Sequence, residues 1–245
     1  MLLKNKRAII TGGTGALGEK LCAVFAREGA DIVFSYNNNK EKAEQIRGSL
    51  RETGRKIIAL HMSTLNKQAV EELAAKAQKE LGGIDILVNN AGITQVMPFP
   101  LIEEEDWDMM MDVNVKGYFL VTKEVARVMI GQKSGVIINI GSIAGHRMLE
   151  VPVHYATSKA AISGFTIALA RELGRYNIRV NNIVPGLLKG GIGSNVPEKQ
   201  YNEYMKYCMA GRAGEPQEVA EIVAFVSSDK GSYLNGQNFF VDGGL

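Results

Sequence analysis

A serine, a tyrosine and a lysine stand in this chain in an order that can move a proton. Ser142 follows the apolar run Val136–Ile140, and Tyr155 and Lys159 come next at an i,i+4 spacing that sets both on one face of a helix. A free phenol ionises near pH 10, at about the edge of what acid–base catalysis can use. An ammonium one turn away favours the phenolate and brings the hydroxyl into range. Ser142 can hydrogen-bond a carbonyl oxygen on which charge develops as hydride arrives. The tyrosine–lysine pair alone is unspecific, because Tyr36 and Lys40 make a second Y-x-x-x-K. The residue 13 positions before Tyr36 is Ala23, whereas the residue 13 before Tyr155 is Ser142. The triple carries the signal.

A second group of residues can hold phosphate. The turn Thr11-Gly12-Gly13-Thr14-Gly15-Ala16-Leu17-Gly18 follows a strand-like run and opens an amphipathic helix expected to reach about Glu28. Glycines let backbone N–H groups and a positive helix end come up against a pyrophosphate. The same turn also serves as a tight connection with no ligand. The end of the second strand reads Phe34-Ser35-Tyr36-Asn37-Asn38-Asn39-Lys40, with no acid. A carboxylate there binds the ribose hydroxyls of NAD and repels a 2′-phosphate. Ser35 and Asn37 can hydrogen-bond a phosphate, and Lys40 or Lys42 can supply charge, so NADP is favoured over NAD. As local turn formers the same residues would simply lead into the next helix.

Positioning these groups falls to short apolar runs: Arg7–Thr11, Asp31–Tyr36, Lys56–His61, Ile84–Asn89, Val136–Ile140, Ile178–Ile183 and Asn238–Val241. They lack polar alternation, as expected of parallel strands covered on both faces. Between them, sets such as Leu17, Leu21, Val24 and Phe25 recur at helical spacing. Alternating strands and helices predict an α/β fold, a doubly wound seven-stranded parallel sheet with helices on both faces. No linker or composition break divides residues 1–245, so one domain is expected. In such a sheet the ligand lies beyond the carboxyl ends of the strands.

Composition limits the partners. Of 245 residues 46% are hydrophobic and 22% charged, which excludes disorder and collagen-like repeats. A net charge of +2, from 28 Lys and Arg against 26 Asp and Glu, argues against a nucleic-acid surface. The uncharged run Ile86–Ile102 contains Asn89, Asn90, Thr94, Gln95, Pro98 and Pro100, so no membrane span is expected. Met1–Arg7 leads straight into a strand without a signal-peptide pattern, and the expected location is the cytoplasm. Cys22 and Cys208 have no C-x-x-C spacing and are expected as buried thiols, with no metal site.

The chain resembles the short-chain dehydrogenase/reductase family over essentially its whole length. The resemblance runs from the Thr11–Gly18 turn through Asn89-Asn90-Ala91-Gly92, Asn114, Ser142, Tyr155/Lys159 and Pro185-Gly186 to Val241-Asp242-Gly243-Gly244. It implies one Rossmann domain and hydride transfer between a nicotinamide and a carbonyl or alcohol. By resemblance, Tyr155 is the acid/base and Ser142 positions the substrate oxygen. Lys159 holds the nicotinamide ribose and lowers the tyrosine pKa, and Asn114 holds a relay water. The cofactor contacts it implies are Gly12, Thr14, Leu17, Gly18, Ser35, Tyr36, Asn37, Ser63, Thr64, Asn90, Ala91, Gly92, Tyr155, Lys159, Pro185, Gly186 and Leu188. Three departures stand out. Ala16 occupies the middle glycine position of T-G-x-x-x-G-x-G, Ser63 replaces an acid that usually binds adenine, and Gly190 replaces the threonine of P-G-x-I-x-T.

Within that family the sequence is most similar to 3-oxoacyl-acyl-carrier-protein reductases, which implies a small or carrier-bound carbonyl substrate and a homotetramer. An acidic carrier needs basic residues near the pocket mouth, with Arg127, Lys133, Arg171 and Arg175 as candidates; such charges are also common solvated decoration. Lys189–Ser194 and a helix near Gln200–Met209 are expected to close over the pocket, with Tyr201, Tyr204, Met205, Tyr207 and Met209 as a stripe for an acyl chain or as packing. His146, Met148, Glu150 and His154 can face the substrate, which leaves a sugar, polyol or hydroxysteroid open; His154 points about 100° from Tyr155 and reads as structural. Ala156, Ala160, Ala161, Gly164 and Ala168 form a small-residue face suited to subunit packing.

Overall fold

Strands that are apolar throughout must be covered on both sides, and the computed structural model, which describes residues 1–245, covers them. The strands are β1 (Arg7–Ile10), β2 (Asp31–Tyr36), β3 (Ile57–His61), β4 (Ile86–Asn89), β5 (Gly135–Ile140), β6 (Ile178–Pro185) and β7 (Asn238–Val241). They form one parallel sheet in the order β3-β2-β1-β4-β5-β6-β7. The helices are α1 (Ala16–Arg27), α2 (Lys40–Ser49), α3 (Lys67–Leu81), α4 (Glu104–Met111), α5 (Gly117–Gln132), α6 (Val153–Leu173), α7 (Glu198–Tyr207) and α8 (Pro216–Ser227).

Successive residues of a strand face opposite sides, so each strand feeds two cores. Ala8, Ile10, Ile32, Phe34, Ile86 and Val88 pack with Leu21 and Phe25 of α1 and Val219 and Val223 of α8. Their neighbours Ile9, Val33 and Leu87 pack on the other face with Leu73 of α3, Val125 of α5 and Leu173 of α6. The chain reverses its winding between β1 and β4, and the carboxyl ends of the strands open a crevice there.

The strand ends differ from expectation by a residue or two, for local reasons. Ile84 lies outside β4 because its N–H donates to Gln132 Oε1 at 2.9 Å rather than to the ladder. Thr11 falls outside β1 with its hydroxyl turned to the loop after β4. The strand expected from Lys56 begins at Ile57, and Gly135 joins β5 opposite Ile178. β6 runs on to Pro185, which pairs with Val241 of β7.

One polar chain crosses the apolar layer. Asn89 Nδ2 donates to Thr122 Oγ1 at 2.8 Å and to Asn139 Oδ1 at 2.9 Å, and Asn139 Nδ2 donates to Thr166 Oγ1 at 2.9 Å. All four residues are buried, and the chain ties β4 and β5 to α5 and α6 just below the crevice. Asn139→Ala strips a partner from two buried groups at once. A loss on the order of 2–4 kcal/mol is expected, read as a Tm lower by about 5–15 °C in a thermal melt; an unchanged Tm would show that the chain contributes nothing to stability.

Candidate active site

The phosphate end is built on backbone. Gly15 begins α1 with no side-chain cap, which leaves the first helical N–H groups without protein acceptors from that side. Gly18 is required by close approach, since a Cβ there would stand 2.1 Å from Gly12 O. Thr11, which sequence reasoning used only as the start of the motif, locks the turn to the loop after β4. Its Oγ1 accepts from Asn90 N at 2.9 Å and Ala91 N at 3.0 Å, and Asn90 Nδ2 donates back to Thr11 O at 2.9 Å.

At the end of β2, Ser35 is buried and its Oγ accepts from Gly12 N at 3.4 Å, so the hydroxyl belongs to the turn as much as to the cavity. Lys42 does not meet the expectation of a cation for phosphate: its Nζ pairs with Glu19 at 2.7 Å. Lys40 remains exposed at the start of α2 without a salt bridge of its own. The second tyrosine–lysine pair has no catalytic setting, with Tyr36 buried beside the His61 ring at 5.6 Å.

Two of the family departures meet in space. Gly190 and Gly191 both have positive φ, at 76° and 56°, and their added Cβ atoms would lie 3.6 and 3.1 Å from Ala16 Cβ. The methyl group that replaces a glycine in the phosphate turn therefore seats the loop where a threonine is missing.

The catalytic side chains come from the carboxyl end of β5 and the first turns of α6. Ser142 caps a short 3-10 turn, its Oγ accepting from Ala144 N at 3.2 Å. Lys159 is 4% exposed, and its Nζ donates to Ile140 O at 2.9 Å, a carbonyl that also accepts from Tyr118 Oη at 3.1 Å. Burial pushes the Lys159 ammonium down to about 8. Burial pushes the Tyr155 phenol up, and a hydrogen bond from Ser142 is what pulls it back. Against the expected lowering, the net shift of the Tyr155 phenol is upward, with burial as its largest cause, and the Lys159 ammonium is directed at Ile140 O.

Asn114 sits in a π-helical turn, Asp112–Lys116, between α4 and α5, the kind of bulge that aims a side chain inward. It is fully buried; Nδ2 donates to Ile93 O and to Ser158 Oγ at 3.0 Å each, and Oδ1 accepts from Ile93 N at 2.9 Å. An atom added at Gly92 would lie 3.2 Å from Asn114 Oδ1 and 3.6 Å from Lys159 Nζ, so both groups border one small space.

One cavity of about 790 Å³ joins these parts. Every residue expected to contact cofactor lines it, from Gly12 to Leu188, together with Ser142, Tyr155 and Lys159; Asn114 lies behind Gly92. A buried ammonium with a single protein acceptor, uncapped helix N–H groups and a glycine cradle fit a dinucleotide with its diphosphate at α1.

Other expectations need correction. Of the four candidates near Ser142, Met148 and Glu150 line the cavity and His146 instead bonds Ser163 Oγ at 2.8 Å, while His154 is buried against Gln95 at 3.3 Å, in keeping with its structural reading. Burial lowers the pKa of both histidines. From α7, Gln200, Glu203, Tyr204 and Tyr207 face the cavity, while Tyr201 and Met205 do not, nor does Met209 beyond the helix end. That helix begins at Glu198 and stops at Tyr207, where Cys208 turns extended. None of Arg127, Lys133, Arg171 or Arg175 lines the cavity. Arg171 lies near the far end of α6, whose 21 residues span roughly 30 Å, and Arg127 pairs with Glu124 at 2.7 Å.

A family model described as Enoyl-(Acyl carrier protein) reductase matches residues 13–245. A 3-oxoacyl-[acyl-carrier-protein] reductase of Thermotoga maritima is 36% identical over 245 residues, covering 100% of this chain and 99% of that protein. A short-chain dehydrogenase of Burkholderia cenocepacia solved in complex with NADP superposes with a TM-score of 0.93 at 30% identity, over 100% of this chain and 99% of that one. A 7α-hydroxysteroid dehydrogenase solved with NADH and 7-oxo glycochenodeoxycholic acid gives 0.93 at 32% identity, over 99% and 94%.

The buried ammonium has a stability signature. Between pH of about 8 and about 10.5 the unfolded chain holds a proton on Lys159 that the folded chain has lost, so this group's contribution rises with pH and is least favourable below about 8. Lys159→Met should therefore be more stable than wild type at pH 7, by roughly 3 kcal/mol before any packing loss. Denaturant unfolding at about pH 7 and about pH 10 checks it: the gap should narrow as pH rises, and a variant less stable at the lower pH would refute the buried-charge reading.

Proposed function

The chain belongs to the short-chain dehydrogenase/reductase family and is an oxidoreductase, and on that premise we propose that it reduces with NADPH the ketone of a 3-oxoacyl thioester, carrier-bound or free, or of a related small molecule. One observation carries the reading: Ser142, Tyr155 and Lys159 share a single cavity with the glycine turn of α1.

The nicotinamide supplies the hydride when bound. Around it, Lys159 keeps two N–H directions beyond its bond to Ile140 O, which suit ribose hydroxyls. Ser142, whose oxygen accepts from Ala144 N, can turn its own proton to the substrate oxygen. Tyr155, held protonated by burial, gives its proton to that oxygen as charge builds. Asn114 and Lys159 border the space beside Gly92 where a relay water would sit.

NADP is preferred in this reading because no carboxylate stands at the end of β2 and Lys40 is left exposed nearby. The whole chain acts as one dinucleotide-binding domain in the cytoplasm. The reading includes a homotetramer; that subunits associate at all is supported by apolar side chains left exposed on helices, such as Phe119, Ile167 and Phe225, and by open space at Gly164 on α6. No helix is long and apolar enough to cross a membrane.

A second reading has its own support. The cavity is lined by Glu150 and Glu203, and its one lysine outside the catalytic group, Lys189, pairs with Glu215. Such charges suit a neutral free ketone or a polyol or steroid alcohol better than an anionic carrier, and the partner would then be NAD. Initial rates with both cofactors, against acetoacetyl thioester, steroid ketones and polyols, separate the two readings; turnover with NADH alone would overturn the first. Tyr155→Phe should lower kcat by at least about 10²-fold with NADPH affinity kept within about threefold. Asn37→Asp should shift the kcat/KM ratio toward NADH by about tenfold or more.

A further inference from the structure

Resting on that reading, we propose that Tyr204 is a positioning residue, its hydroxyl holding the lid helix α7 closed on the Pro185–Leu187 turn that walls the nicotinamide end. The hydroxyl accepts from Leu187 N at 3.0 Å and donates to Asp242 O at 3.4 Å. One side chain thus joins three segments: the lid, the turn after β6 and the chain after β7. The fit is close, because a Cβ on Gly186 would stand 2.5 Å from Tyr204 Oη and 2.8 Å from Asp242 Cα. Glycine at 186 is what lets the phenol reach the turn.

The remaining ties of this region hold the turn to β7 and to the segment before α8 rather than to α7: Gly186 N donates to Val241 O at 2.9 Å. Leu187 O accepts from Gly214 N and Lys189 N donates to Gly214 O, at 2.9 Å each, which fixes the outer edge of the turn but not α7. Gln200 on α7 reaches Glu150 at 3.1 Å through an exposed bond. Ala210 N donates to Gly243 O at 2.9 Å beyond the end of the helix. Of the two half-buried polar side chains of α7, Gln200 and Tyr204, it is Tyr204 that reaches the Pro185–Leu187 turn. Burial pushes its phenol up, so the donated proton stays in place across neutral pH. The hydroxyl acts through the Leu187 amide, whose proton it accepts.

Tyr204→Phe keeps the ring and removes the tether. In the full-length protein, hydrogen exchange of a peptide spanning Gly186–Lys189 should quicken by roughly fivefold to tenfold without any cofactor present. NADPH Kd, by cofactor fluorescence, and KM for acetoacetyl thioester should rise by the same factor, with kcat within about threefold and Tm nearly unchanged. A purely structural role would lower Tm and leave this KM-against-kcat split unseen. Unchanged exchange, unchanged Kd, or a loss confined to kcat would each overturn the proposal. If wild type binds no NADPH, the functional reading fails on its own, and the exchange experiment still decides the tether.

Discussion

A lysine ammonium buried without a carboxylate governs the architecture of this site. Removing a charge from water disfavours the fold by several kcal/mol unless polar groups replace the solvent. Lys159 has one such group, the Ile140 carbonyl. That carbonyl is available because β5 ends at Ile140, and Tyr118 Oη shares it from below. The requirement propagates outward. α6 must start close to the end of β5 so that its second turn meets that carbonyl, and Asn114 pins α6 through Ser158 and the loop after β4 through Ile93.

Stability is distributed unevenly around this charge. The floor, made by the ends of β1, β4 and β5, is buried and laced by the Asn89–Asn139–Thr166 chain. The roof is different: no residue of α7 is fully buried, and its polar contacts are few. Segments with little buried surface open at low free-energy cost, which suits an element that must admit and release ligand. Ala16 lies where side chains at Gly190 and Gly191 would come, so the roof passes close over the phosphate turn. Two departures that read separately as defects in the sequence become one complementary contact in the fold.

Much of this is legible in the chain because it rests on periodicity and short motifs. Seven apolar runs become seven strands, since a two-sided core leaves no other use for them, and the Ser142–Tyr155–Lys159 spacing survives folding because two of its members share a helix. What cannot be read depends on contacts between distant segments. The Ile140 carbonyl has no side-chain signature, so the lysine's orientation is hidden in the sequence. Lys42 looks free until α1 brings Glu19 to it. Arg171 looks near the mouth until the length of its helix is set against distance from the catalytic end. His146 and Glu150 lie four residues apart on an irregular loop, where spacing does not fix direction; one packs on Phe240 at 5.2 Å and the other faces the cavity.

The two titrating groups of the site are displaced toward opposite charge behaviour by one cause. Burial raises the phenol of Tyr155 and lowers the ammonium of Lys159 to about 8, since it disfavours whichever form is charged. At neutral pH both therefore hold their protons. A neutral phenol beside a cationic amine is a donor array, matched to an oxygen that gains charge and must be protonated, as a carbonyl oxygen does when reduced. The reverse reaction asks the phenol to accept a proton from an alcohol, and burial opposes the phenolate that this needs. Within the chain, the hydrogen bond from Ser142 is what favours the phenolate. The protonated pair is thus arranged to donate hydrogen bonds to an oxygen that gains charge.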